Sequence, residues 1–117
     1  MKNPPTTRFH NRKALVTGGG SGIGQAIALR LAEEGAHVVI LDTNRADETV
    51  AQIEAFGGKV QTHVGDVTDP DSVHRVVSGL DRLDVLVNNA GIAHVGTVLT
   101  TSPDDLDRVY RVNVRGV

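Results

Sequence analysis

The sequence contains no cysteine. That excludes disulfides, thiolate metal sites and thiol nucleophiles, and an intracellular, cytoplasmic setting is expected. Aromatic residues are almost missing as well: there is no tryptophan, one tyrosine and two phenylalanines, so the core has to be aliphatic. Neither sign of charge dominates. Twelve basic residues stand against fourteen acidic ones, for a formal net charge of −2. With no basic patch interleaved with aromatics, there is no field to attract a polyanion, and nucleic acid is not an expected partner. No apolar run approaches the ~18 residues of a membrane span, so no membrane association is expected. The opening MKNPPTTRFHNRK is polar, carries two prolines and lacks the apolar stretch of a secretion signal. The histidines, His10, His37, His63, His74 and His94, have no ligand spacing, and no metal site is expected.

What remains is glycine and alternation. Thirteen glycines, 39% hydrophobic and 22% charged residues describe a globular α/β chain. Its 117 residues suffice for one domain, expected over residues 12–117 behind a mobile tail at 1–11.

The periodicity predicts strands and helices in turn. Lys13 to Thr17 is a short apolar run that ends in glycines. From Gly22 the apolar period lengthens, with Ile23, Ile27 and Leu31 four apart beside Ala28 and Ala32, which predicts a helix stopped at Gly35. His37 to Leu41 is nearly continuous in apolar residues, as expected of a parallel strand covered on both faces, and ends at Asp42. A helix with Val50 and Ile53 on one side is expected over about 46–56, and a third strand over Lys59 to Val64. Asp69, Pro70 and Asp71 form a helix start, followed by Val73, Val76, Val77 and Leu80. Leu83 to Val87 is a fourth strand, and Ser102 with Pro103 opens a last helix expected to bury Leu106, Val109, Tyr110, Asn113 and Val117. This alternation favours a doubly wound parallel sheet over a bundle or sandwich.

The chemistry concentrates at Thr17 to Gly24, TGGGSGIG, between the first strand and the first helix. Glycines let the backbone approach a pyrophosphate closely, and a helix N-terminus offers unpaired N–H donors with partial positive charge. A glycine cluster alone is a weak signal; its flanking strand and helix raise it. Gly18, Gly22 and Gly24 are followed by no Lys-Ser or Lys-Thr pair, which argues against a P-loop. Asp42 closes the second strand where a carboxylate would accept hydrogen bonds from an adenosine ribose, and its charge would repel a 2′-phosphate; NAD is therefore expected in preference to NADP. The same acid also fits a helix cap, and Arg45 nearby would offset some of the repulsion. Asn88-Asn89-Ala90-Gly91 follows the fourth strand, at the switch point where ligands lie in such sheets, although alone it reads as a turn.

With these residues in order, the chain resembles the short-chain dehydrogenases/reductases, whose fingerprint joins T-G-x-x-x-G-x-G, a strand-end acid, an aspartate-hydrophobic pair and N-N-A-G. The resemblance covers essentially the whole chain after the tail. It implies a Rossmann-type α/β fold, strand order 3-2-1-4, and an oxidoreductase moving hydride between nicotinamide and a carbonyl or alcohol. It further implies that Gly18, Ser21, Gly22, Ile23 and Gly24 hold the pyrophosphate, Asp42 the ribose, and Asp66 with Val67 the adenine. Asn88, Ala90 and Gly91 would line the nicotinamide end. Asn113 would support a catalytic lysine and a proton-relay water. On their own, Asp66 reads as a strand-end turn residue, Val67 as core packing and Asn113 as a core-edge residue.

The family's catalytic tyrosine, lysine and serine have no counterparts here. Tyr110 is the only tyrosine, and the family's spacing would require a lysine where Val114 stands, so Tyr110 is expected in the helix core. The expectation is the cofactor-binding half of a longer enzyme, inactive by itself and oligomeric when complete. A stand-alone nucleotide-binding or interaction module is the alternative from another class. A methyltransferase-like adenosine binder is a third reading, disfavoured by Asn88 to Gly91.

Overall fold

The computed structural model describes residues 7–92 and 96–117. Residues 1–6 of the tail expected over 1–11, and the reading of His94, fall outside them. The elements run β1 (Lys13–Thr17), α1 (Gly22–Glu33), β2 (His37–Asp42), α2 (Asp47–Ala55), β3 (Lys59–Val64), α3 (Pro70–Ser78), β4 (Val85–Val87) and α4 (Pro103–Tyr110), which passes into a π-helical segment, Arg111–Arg115. The four strands form one parallel sheet in the order β3-β2-β1-β4, as expected for an α/β chain of this pattern.

The two central strands explain the continuous apolar runs, because both of their faces are covered. On one face Ala14, Val16, Val38 and Ile40 pack with Ala28, Leu31 and Ala32 of α1 and Ile53 of α2. On the other, Leu15, Val39 and Leu41 meet Val76 of α3. Full burial of one such aliphatic side chain contributes about 1.5–3 kcal/mol, so packing across these three layers dominates stability. β4 is shorter than expected, Val85–Val87 instead of Leu83 to Val87. Its predecessor Asp84 donates its N–H to the Lys13 carbonyl at 2.9 Å, while Leu83 stays 37% exposed.

Several helix faces depart from the apolar pattern. In α1 the buried set is Gly24, Ala28, Leu31 and Ala32; Ile23, expected on the inner face, is 75% exposed, because in the first turn it is Gly24 that packs inward, against the Gly18 carbonyl. In α2 the buried residues are Thr49 and Ile53, with Val50 only half-buried. In α3 Ser72 and Val76 are buried, while Val77 faces outward. The expected start of α3 is present: Asp69 accepts a hydrogen bond from the Asp71 N–H at 3.1 Å.

The last helix departs most. Ser102 and Asp105 form a reciprocal capping box, as the start signal implies, but no residue of α4 is buried. Leu106 is 65%, Tyr110 51% and Val117 69% exposed, so the expected inner face, including Tyr110, is not core. No described element packs over this row, and helical period alone cannot supply a partner. Of the expected row only Val109 is half-buried, together with Asp105, Val112 and Gly116 outside it.

Residues 7–11, expected in the mobile tail, are tied to the end of α1. The Phe9 N–H donates to the Glu34 carbonyl at 2.9 Å, and the buried Glu34 carboxylate pairs with Arg8 and Arg30.

Candidate functional site

The C-terminal ends of β1, β2 and β4 come together, and the turn from β1 into α1 lies across them. Gly18 has φ +70, a left-handed conformation that a side chain resists. Its N–H continues the ladder by donating to the Leu41 carbonyl at 2.8 Å. A Cβ at Gly18 would lie 2.9 Å from Asn89 Nδ2 and 3.2 Å from the Ala90 Cα, so the glycine turn and the segment after β4 touch directly. At Gly24 a Cβ would collide with the Gly18 carbonyl, which fixes how closely α1 begins behind the turn.

Thr17 and Asn89 hold this junction, and the fingerprint reading assigned neither a role. The Thr17 hydroxyl accepts from the N–H groups of Asn89 and Ala90, both at 3.1 Å, and donates to the Val87 carbonyl at 3.3 Å. The Asn89 side-chain amide reaches back to the Thr17 and Gly18 carbonyls. Asn88, the residue expected to line the site, is exposed. In sequence Asn88 and Asn89 look equivalent; only strand alternation, applied past the end of β4, separates the inward from the outward one.

The start of α1 has the electrostatics of an anion site. Ser21 occupies the N-cap without a side-chain hydrogen bond to the helix, and the first turn carries no acid. By contrast α2, α3 and α4 each carry Asp or Glu in the first turn. Among the four α-helices described, α1 alone leaves its positive end uncompensated. Gly22, φ +57, has open space where a Cβ would point.

Asp42 closes β2 beside this turn. One carboxylate oxygen accepts from the Gly20 N–H at 3.0 Å, the other from the Asn44 N–H at 3.0 Å. Arg45 instead pairs with Asp47 at 3.4 Å. β3 runs alongside, with the Gly65 N–H donating to the Asp42 carbonyl at 2.9 Å, and this places the Asp66–Val67 loop next along the same edge. Hydrogen bonds from the Thr68 N–H (2.8 Å) and hydroxyl (2.7 Å) hold the Asp66 carboxyl below the usual carboxylate range. Slight burial opposes this and the charge of Arg111 adds to it.

Asn113 lies in the π-helical segment and closes the site's far side. Its side chain accepts from the Ile92 N–H at 2.9 Å and donates to the Ile92 carbonyl at 2.7 Å, so both backbone polar groups of Ile92 are paired by one amide. A Cβ on Gly116 would fall 2.7 Å from Val67, which joins the same segment to the Asp66–Val67 loop. The residues singled out in the sequence therefore lie along one edge of the sheet. Among the described residues, no group of three or more His, Cys, Asp or Glu is arranged to hold a metal ion.

Residues 12–117 match the model of the short chain dehydrogenase family. The chain belongs to that family. Versicolorin reductase stcU of Emericella nidulans is 40% identical over 123 residues, an alignment that takes in 99% of this chain and 47% of the relative. An uncharacterized oxidoreductase of Thermotoga maritima is 43% identical over 112 residues, 92% of this chain and 45% of that one. Among solved structures, a short chain dehydrogenase from Burkholderia cenocepacia in complex with NADP superposes with TM-score 0.85 at 44% identity, over 93% of this chain and 47% of that one. A short-chain type dehydrogenase/reductase from Mycobacterium marinum gives TM-score 0.89 at 32% identity, over 92% and 46%. This short chain dehydrogenase chain spans about half the length of the curated relatives it matches. Among the described residues, no helix is long and apolar enough to cross a membrane.

Proposed function

We propose that this chain binds a nicotinamide dinucleotide, NAD in preference to NADP, as the cofactor-holding half of an oxidoreductase acting on a carbonyl or alcohol. The observation that carries the reading is the bare N-terminus of α1, free of any side-chain cap or acid and set behind a glycine turn that also hydrogen-bonds Asp42. A diphosphate is the ligand that such a pairing of anion site and sugar-side carboxylate fits.

In this reading Gly18, Ser21, Gly22, Ile23 and Gly24 hold the diphosphate, Asp42 the adenosine ribose, and Asp66 with Val67 the adenine. Asn88, Ala90 and Gly91 line the nicotinamide side, and Asn113 positions the backbone there. When bound, the nicotinamide supplies or accepts the hydride. The chain's own part is to orient that ring and to discriminate the ribose. With Val114 four residues after its only tyrosine, Tyr110, the chain has no tyrosine-lysine pair to move the proton, and residues 1–117 alone should not turn over. The cysteine-free composition supports a cytoplasmic setting.

Titration with NADH and NADPH tests the assignment. The unaltered protein should bind NADH more tightly, and Asp42→Ala should shift the NADH-to-NADPH affinity ratio toward NADPH by about tenfold or more, since a carboxylate near a phosphate costs several kcal/mol at intermediate dielectric. No NADH binding, or a ratio that does not move, overturns it.

A second reading, an association module, is favoured by the exposed row Leu106, Tyr110, Val114 and Val117 along one side of the last helix. Such a row supports self-association as a homo-oligomer. Sedimentation of Leu106→Lys against the unaltered protein tests it: identical monomeric behaviour of both rejects self-association through this row.

A further inference from the structure

A single peptide group, the one joining Gly19 to Gly20, is held from both sides. Its carbonyl accepts a hydrogen bond from the Thr49 hydroxyl at 3.0 Å, and its N–H donates to Asp42 at 3.0 Å. In a trans peptide these two groups point in opposite directions, and the structure has no cis bonds among the described residues. The orientation that satisfies Thr49 is therefore the one that aims an N–H at the Asp42 carboxylate. Thr49 is itself fully buried at 0% exposure, and its oxygen accepts from the Gln25 side chain at 3.1 Å. With that acceptor position filled, the hydroxyl proton is directed to Gly19. The result is a chain of donors running from α1 through α2 and the glycine turn to the end of β2, in which each bond polarises the next.

We infer that Thr49, supported by Gln25, is a positioning residue that sets cofactor preference by fixing the Asp42 carboxylate. The inference rests on the ribose role of Asp42 proposed above. A glycine-glycine peptide has no side chain to resist rotation of its plane. Without the Thr49 hydroxyl the plane is held from one side only and rocks about the Gly20 N–H, so the carboxylate it meets is no longer fixed in orientation. Held as it is, Asp42 receives one N–H on each oxygen, from Gly20 and Asn44, and each oxygen keeps one acceptor position. Two adjacent acceptors in a fixed plane match the two hydroxyls of a vicinal diol and oppose a phosphate ester on either of them. A carboxylate free to turn keeps its charge and loses the match, so preference weakens through lost affinity for the diol.

The test uses Thr49→Val, which keeps the shape and loses the hydroxyl, with Thr49→Ser as the conservative rescue. NADH and NADPH are titrated by fluorescence, and exchange of the Gly20 amide is followed in cofactor-free protein. T49V should lower the NADH-to-NADPH affinity ratio by about tenfold, the effect of one hydrogen bond, and should speed Gly20 exchange; T49S should restore both. Equal loss of both affinities with the ratio unchanged, or unaltered Gly20 exchange, overturns the inference, because a merely structural threonine would behave that way. Asp42→Ala separates the two claims. A ratio unmoved by D42A overturns the ribose reading itself, whereas a ratio moved by D42A and not by T49V overturns only the role of Thr49. Should T49V not fold, Gln25→Met at a half-buried position carries the test: a smaller shift of the ratio in the same direction supports the inference, and an unchanged ratio overturns it.

Discussion

The Asn89 side chain lies directly behind Gly18, its amide nitrogen donating to the Gly18 carbonyl at 3.2 Å while a second hydrogen bond of the same length reaches Thr17. Through this contact the segment after β4 supports the turn after β1, two regions about seventy residues apart. One amide thus serves two carbonyls of the turn and acts as a cross-brace for the site.

Asn89→Leu should therefore cost about 1–3 kcal/mol, the range for losing two part-buried hydrogen bonds. Asn89→Asp should be no better at neutral pH, because a carboxylate facing two carbonyl oxygens repels them. Urea unfolding midpoints measure both; a wild-type midpoint in N89L would remove the bracing role.

Gly24 and Gly57 make a contrasting pair. A Cβ at Gly24 runs into the Gly18 carbonyl, whereas Gly57, φ +81, has nothing nearby. Gly24→Ala should destabilise by about 1–3 kcal/mol as the turn is pushed away from α1. Gly57→Asn, a residue that tolerates the left-handed region, should stay within about 1 kcal/mol of wild type. Thermal unfolding of the two variants decides, and equal losses would contradict the geometry.

His37 sits in register between Lys13 and Lys59 on adjacent strands. Burial, then the charges of Lys13 and Lys59, lower its pKa below 6.5, with Asp81 opposing. The unfolded chain thus binds a proton in a window below pH 6.5 where the folded chain does not. Stability from this site is fully present above that pH and declines as pH falls through the window. His37→Gln should flatten the decline between pH 7 and 5.5, as read from denaturant midpoints; an unchanged pH slope would contradict this.

Asn113 should be needed for order at Ile92 more than for global stability, because its two hydrogen bonds there are exposed. In Asn113→Ala the Ile92 amide should exchange about tenfold faster, with global stability changed by less than about 1 kcal/mol. Exchange at Ile92 that is unaffected would show that the amide pairing does not hold the segment.

The readable parts of the fold were those with a local cause. Strands β1 and β2 appear as unbroken apolar runs because both faces are covered, and the starts of α3 and α4 follow from Asp69-Pro70 and Ser102-Pro103, whose side chains act within their own turn. The glycine turn and Asp42 were legible for the same reason, since their residue types answer backbone needs at strand ends. Asn89, Thr17 and Thr49 were not. Each works through a partner far along the chain, and nothing in the residue type of an isolated Asn or Thr names that partner.

By itself the sequence determined the alternation of strand and helix, the place of the glycine turn and the aliphatic character of the core, because period and backbone propensity are local properties. Only the tertiary structure decided which asparagine turns inward, that a buried threonine grips the glycine turn, and that Leu106 and Tyr110 remain exposed. Those outcomes depend on what lies across the sheet, and an apolar stripe or a polar side chain encodes a capacity for contact without specifying its partner.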